Sequence, residues 1–287
     1  MTEYIQPEST FPDIRLAAVD LDGTLMDSMD HVAESAIDEI RRLNEEGCLV
    51  VPCTGRYLRA IPRQVLSMGK VRYAITANGG QIWDTHSLTS LYRVKLPEGT
   101  VREILEFMKG KEGYIEIFSQ GKSYVNEGDV FKAARKERNY NFIHYFQREH
   151  IMVPCLQKAS SIWDEAEKLN VFYMEDNDRR QLQAMLMSRG DLQITSSIGG
   201  NMEVNAKIVN KGRAMKWLCG YLGIAREETL AVGDGDNDIE MLEFAGYGIA
   251  MGNSCDELKR RAGYVTADND SGGAEDILRR IGEIRLF

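Results

Sequence analysis

The stretch "AVDLDGTLMDS", residues 18–28, decides the fold. Leu16 to Val19 is a short apolar run of the kind that forms a buried strand. It ends in two aspartates one residue apart, Asp20 and Asp22, followed by Gly23-Thr24. A carboxylate at the end of a core strand is costly unless it is paired, hydrogen-bonded or bound to a metal. In open parallel sheets ligands bind beyond the carboxyl ends of the strands. The informative part of this chain is therefore the polar segment at the end of each apolar run.

Moving outward, "DHVAESAIDEIRRLNEEG" places Val32, Ala36, Ile37, Ile40 and Leu43 at helical spacing and stops at Gly47. "CLVVPC" predicts a second buried strand, ending in Thr54-Gly55-Arg56. "YLRAIPRQVLSMG" predicts a helix disturbed at Pro62, and "VRYAITANGG" a third strand ending at Asn78. The last third repeats the alternation. "KGRAMKWLCGYLG" is amphipathic through Met215, Leu218 and Leu222, and "TLAVGDGDND" is an apolar run ending at Asp234, Asn237 and Asp238. Such repeats predict an α/β fold with a parallel sheet covered by helices. Between them the pattern changes. "SLYRVKL" and "YIEIFSQGKSYVNE" alternate like antiparallel strands, with a turn at Gln120-Gly121, and "TVREILEFMKG", "DVFKAARKERNY" and "DRRQLQAMLMSRG" read as helices. The expectation is one core built from residues 1–84 and 201–287, with an α+β insertion over 85–200.

Bulk properties narrow the function. A net charge of −9 and a pI near 5.2 argue against a nucleic-acid partner, although a local cation can still bind an anion. No apolar stretch approaches the ~20 residues of a membrane helix, and the first residues lack a signal-peptide pattern, so they read as a short loose tail. The five cysteines are scattered without a C-x-x-C pair, which suits buried thiols in a reducing cytoplasm rather than zinc or disulfides. His31, His86, His144 and His150 show no ligand spacing, and the basic run 132–140 reads as a solvated helix face.

If the two halves form one sheet, Asp20, Asp22, Asp234 and Asp238 meet at one edge. Such a cluster repels itself without a cation, and hard oxygen donors without a His or Cys cluster favour Mg²⁺. The matching positive side chain is Lys211 rather than Lys207, because Lys211-Gly212 opens a helix whose dipole also favours an anion. Two carboxylates on a turning loop can then divide the chemistry, one attacking and one moving a proton.

Together D-x-D-G-T at 20–24, T-G-R at 54–56, K-G at 211–212 and G-D-x-x-N-D at 233–238 resemble, in order, the four motifs of the haloacid dehalogenase superfamily. "ITANGG", "NKGRAM", "GDGDNDIEML", "AMGNS" and "SGGAEDI" are similar to its Cof-type sugar-phosphatase branch. The resemblance implies a Rossmann-like core, a mobile cap formed by the insertion, and Mg²⁺-dependent hydrolysis of small phosphate esters through an aspartyl-phosphate. It implies Asp20 as nucleophile and Asp22 as general acid/base. Asp20, Asp234 and the Asp22 backbone carbonyl would hold Mg²⁺. The Leu21 amide, Thr54, Gly55, Lys211 and Asn237 would bind the phosphoryl group, and Asp238 would orient Lys211 or a metal-bound water. A sugar phosphomutase and a non-catalytic phosphate-ligand sensor are the alternatives. No membrane or nucleic-acid partner is implied.

Overall fold

The computed structural model describes residues 3–4, 11, 13–136, 150–196 and 201–282. His144 and the 137–140 end of the basic run lie outside the described residues. Two compact units emerge: one of Met1–Arg56, Ile61–Tyr92 and Asn210–Phe287, the other of Tyr57–Ala60 and Arg93–Val209.

The first unit is an α/β fold around a six-stranded, all-parallel sheet. Its strands run in the order Glu3–Tyr4, Tyr264–Val265, Tyr247–Ala250, Thr229–Gly233, Leu16–Val19 and Leu49–Pro52. Leu16, Ala17, Ala18, Leu230, Ala231 and Val232 are all fully buried, as strands covered on both faces must be. The Glu34–Glu46 helix buries Ala36, Ile37, Ile40 and Leu43, and Gly47 ends it in the left-handed conformation. The Lys211–Leu222 helix buries Ala214, Met215, Leu218 and Cys219. From Leu16–Val19 the chain proceeds to one side of the sheet, and from Thr229–Gly233 to the other. The crevice where the order reverses lies beyond these two adjacent strands, and it is the place where open α/β sheets bind ligands.

Three local expectations are corrected. The first residues are not a loose tail where they are described. Glu3–Tyr4 pairs with the otherwise open edge of Tyr264–Val265, and Phe11, 2% exposed, packs edge-on against Tyr247. The third predicted strand, Tyr73–Thr76, packs beside the Leu49–Pro52 strand but pairs with it through an isolated Cys53–Ile75 bridge. It pairs antiparallel with Gln81–Asp84 in a three-stranded sheet completed by Thr89–Arg93. The segment around Pro62 forms two single turns, Leu58–Ala60 and Gln64–Met68, because proline removes a helix donor.

The second unit has a six-stranded sheet in the order Leu192–Thr195, Met202–Ala206, Ala166–Phe172, Tyr114–Ser119, Lys122–Asn126 and Ile151–Val153, antiparallel except for the last pair. Gln120 and Gly121, both at positive φ, make the expected turn. Helices Thr100–Phe107 and Asp176–Ser188 cover the face carrying Ile115, Ile117, Leu169, Val171 and Val204. The structure puts the borders of this unit later in the chain than 84/85 and 200/201. Thr89–Tyr92 stays with the first unit, and Met202–Ala206 is a central strand of the second.

Candidate active site

Asp20, Thr54 and Asp234 each stand just past a strand of the parallel sheet. Asp20 follows Leu16–Val19, and its amide still donates to Val232 O at 3.0 Å, as if the strand ran one residue further. The chain then turns tightly over Leu21–Leu25, closed by Met26 N donating to Leu21 O at 2.9 Å. Gly23 makes this turn possible. Its φ is +75°, and a Cβ there would lie 2.4 Å from Asp234 Oδ2. Thr54 is fully buried past the Leu49–Pro52 strand, and its Oγ1 accepts from the Arg56 amide at 3.1 Å.

Lys211 ties the edge together. It is the first residue of its helix, capped by the Asn210 side chain accepting from the Arg213 amide at 2.6 Å. Its ammonium is completely buried and donates to Asp20 Oδ1 and Asp238 Oδ1, both at 2.6 Å. Burial alone would lower its pKa, but the Asp20 and Asp238 carboxylates outweigh burial and hold it above the usual lysine range. Asp238 has its other oxygen engaged as well: Oδ2 accepts from the amides of Asp234 and Gly235 at 3.1 and 2.9 Å. Asp234 is pushed up to about 6, first by burial and then by the Asp238 charge. Its Oδ1 accepts from Thr24 Oγ1 at 2.9 Å.

Oxygens of Asp20, Asp234 and Asp238 lie within 4.8 Å of one another. These all-oxygen donors fit a hard divalent cation. Both Asp238 oxygens already accept hydrogen bonds, and Asp20 and Asp234 could hold such a cation. Asp22 stands apart from them. Its half-exposed carboxylate is gripped by the Arg56 guanidinium, with Nε at 3.1 and 2.9 Å from its two oxygens. Asn237 Nδ2 donates to Asn78 Oδ1 at 3.1 Å. Lys207, the rival cation, is exposed beyond Met202–Ala206.

Four participants were not assigned from the sequence. Arg56 pairs with Asp22, and Thr24 bonds Asp234. Asn78 is buried at φ +58° and partners Asn237. Asn253 donates to Gly23 O at 2.8 Å. Their signals were present, in T-G-R, D-G-T, "ITANGG" and "AMGNS". What was missing was the contact each makes across the fold.

The sequence model of the haloacid dehalogenase-like hydrolases matches residues 17–278. The chain belongs to this family. Two curated relatives of this haloacid dehalogenase-like hydrolase come from Bacillus subtilis. The 5-amino-6-(5-phospho-D-ribitylamino)uracil phosphatase YcsE is 29% identical, with 93% of this chain and 95% of the relative covered. The phosphatase YwpJ is 28% identical, with 93% and 100% covered. A crystal structure of a haloacid dehalogenase-like hydrolase from Bacteroides thetaiotaomicron has the same fold, with a TM-score of 0.80 at 24% identity, covering 93% of this chain and 99% of that one. The three free cysteines in the core, Cys48, Cys53 and Cys219, are buried thiols whose pKa values burial raises. No described helix is long and apolar enough to cross a membrane.

Proposed function

We propose that this hydrolase is a Mg²⁺-dependent phosphatase of small phosphorylated metabolites, with sugar and polyol phosphates as its substrate class. The observation that carries this reading is the buried Lys211 ammonium bonded at 2.6 Å to both Asp20 and Asp238 beside a third carboxylate, Asp234. A cation so placed counters the charge of a phosphoryl group beside a carboxylate that can attack it. The relative YcsE, named for a phosphate ester of a ribityl chain, supports a polyol-like leaving group.

In this reading an Asp20 carboxylate oxygen attacks phosphorus, and the bond from phosphorus to the ester oxygen breaks. Asp22 supplies the proton to the departing alcohol. Water then attacks the same phosphorus, Asp22 takes its proton, and Asp20 is released with inorganic phosphate. Lys211, Thr54, Asn237 and the amides of Leu21 and Gly55 bind the phosphoryl oxygens. Asp238 keeps Lys211 aimed. A Mg²⁺ ion, held by Asp20, Asp234 and the Asp22 carbonyl, would supply charge neutralisation for the phosphoryl group. Asp22 must leave Arg56 before it can reach the departing oxygen, because both of its oxygens accept from the guanidinium. The inserted unit would serve as the cap that admits substrate and excludes water. A cytoplasmic setting suits the five thiols.

The test is phosphate release from a panel of sugar, polyol and nucleoside monophosphates, with Mg²⁺ and with EDTA, beside Asp20→Asn. Release that needs Mg²⁺ and vanishes in the folded variant supports the reading. Isomerisation of sugar phosphates without release would assign a mutase. Binding without turnover in the metal-loaded protein would assign a sensor.

A further inference from the structure

Phosphoryl transfer through Asp20 and Asp22 makes no use of Asn253, in the turn after the Tyr247–Ala250 strand. That strand pairs with Thr229–Gly233, and Met251 N donates to Gly233 O at 3.0 Å, so the turn arrives beside Asp234. There Asn253 Nδ2 donates to Gly23 O at 2.8 Å and lies 3.4 Å from Asp234 Oδ2. Its Oδ1 accepts from the Asn269 amide at 3.2 Å. One side chain thus touches the Asp20–Met26 turn, the end of the Thr229–Gly233 strand and the late loop at 266–272.

The late loop is itself built against that turn. Asn269 Nδ2 donates to Met26 O at 3.0 Å, and Asp270 Oδ1 accepts from the Ser28 amide at 2.8 Å. Gly252 N donates to Ala267 O at 2.9 Å, and a Cβ on Gly252 would lie 2.7 Å from the Asp268 nitrogen. Asn253 is therefore supported from behind. Asp234 has a neutral donor at each oxygen, Thr24 Oγ1 on Oδ1 and Asn253 Nδ2 near Oδ2. Neutral donors fix the orientation of a carboxylate without cancelling its charge, which is what a cation ligand needs.

We propose that Asn253 is a positioning residue for the divalent-cation site, holding the Asp234 carboxylate and the Gly23 carbonyl in register, with Asn269 as its support. This rests on the assignment of Asp20 and Asp234 as cation ligands. The test is direct Mn²⁺ binding to the full chain, followed by calorimetry and by the electron paramagnetic resonance of unbound Mn²⁺, without substrate. Wild type is compared with Asn253→Ala, Asn269→Ala and Asp234→Asn, and the thermal midpoint of each metal-free protein is recorded.

Asn253→Ala is expected to weaken Mn²⁺ binding about 10- to 100-fold, the usual effect of removing a residue that orients a ligand. Asn269→Ala keeps the backbone donor to Asn253 but cuts the tie from the late loop to Met26 O, and is expected to weaken binding in the same direction and by less. If Asp234→Asn abolishes binding while both asparagine variants bind like wild type, the positioning role is overturned and the cation reading stands. A wild type that binds no Mn²⁺ overturns both. Should Asn253→Ala not fold, Asn253→Ser takes its place: unchanged Mn²⁺ affinity in it overturns the proposal and weakened affinity supports it.

Discussion

At the scale of single residues the site turns on a charge that burial alone would not permit. Lys211 is completely enclosed, and it keeps its proton because Asp20 and Asp238 each accept from it. Removing one partner from a buried ionic group leaves the others uncompensated, at about 3–5 kcal/mol. Lys211→Ala should therefore lose stability of that order in urea unfolding. It should also lower kcat/KM about 10²- to 10³-fold, because the proposed reaction would lose its cationic donor to the phosphoryl oxygens. Lys211→Arg should not restore activity: a planar guanidinium cannot replace a compact ammonium in a closed site. Asp22 is predicted to behave differently, since it is half-exposed and paired only at the surface with Arg56. Asp22→Asn should leave stability nearly unchanged, as surface pairs contribute little. Its rate on an alkyl phosphate should fall about 10²- to 10⁴-fold. The loss on p-nitrophenyl phosphate should be smaller, because that leaving group departs without a proton. Equal losses on the two substrates would remove Asp22 from the acid role.

At the scale of elements, precision comes from glycines that let backbones approach. A Cβ on Gly212 would lie 2.2 Å from Glu240 O, so the helix that begins with Lys211 is packed directly on the Ile239–Phe244 helix. Gly212→Ala should cost about 1–3 kcal/mol as an overpacked contact. Lys211 should shift with its helix, so activity should fall more than the stability loss alone explains, as read from kcat/KM well below the unfolding midpoint. These elements also show what the sequence made legible. Leu16–Val19 and Thr229–Gly233 are continuous apolar runs because both faces are covered, which made the polar residues at their ends the candidates for a site. Ala166–Phe172 was visible only from Asn170 onward. Glu167 and Lys168 break its apolar pattern, yet both are buried, Lys168 through an ion pair with Glu203 at 2.8 Å. Met202–Ala206 was given to the wrong unit for a related reason: Glu203 and Asn205 find buried partners on a strand far away in sequence. Local periodicity cannot register such pairings. The same limit hid Asn253 and Thr24, whose roles exist only across the fold.

At the scale of the whole molecule, the two units carry separate buried acids, which makes their pH response separable. Asp234, in the first unit, is pushed up to about 6, chiefly by burial and then by Asp238. Glu167, in the second, is pushed up to about 7 by burial, against the pull of Arg93. A raised acid binds more protons folded than unfolded between its two pKa values, so stability falls as pH rises through that window. For Asp234 the window runs from 3.8 to about 6, and for Glu167 from 4.5 to about 7. The opposite trend rules at lower pH. Glu116, buried and bonded to His150, Ser123 and Asn170, has its pKa lowered by these partners against the effect of burial; its stabilisation is lost as pH falls through the lowered value. Metal-free protein should thus be most stable in mild acid and weaken toward neutrality. A cation at Asp20 and Asp234 favours the ionised carboxylate, so Mg²⁺ should remove the decline that belongs to the first unit. It should leave the decline due to Glu167 in place, and Glu167→Gln should remove that one. Urea unfolding from pH 4 to 8, with EDTA and with Mg²⁺, checks both arms. A decline insensitive to Mg²⁺ in the Glu167→Gln protein would mean that Asp234 is not a cation ligand.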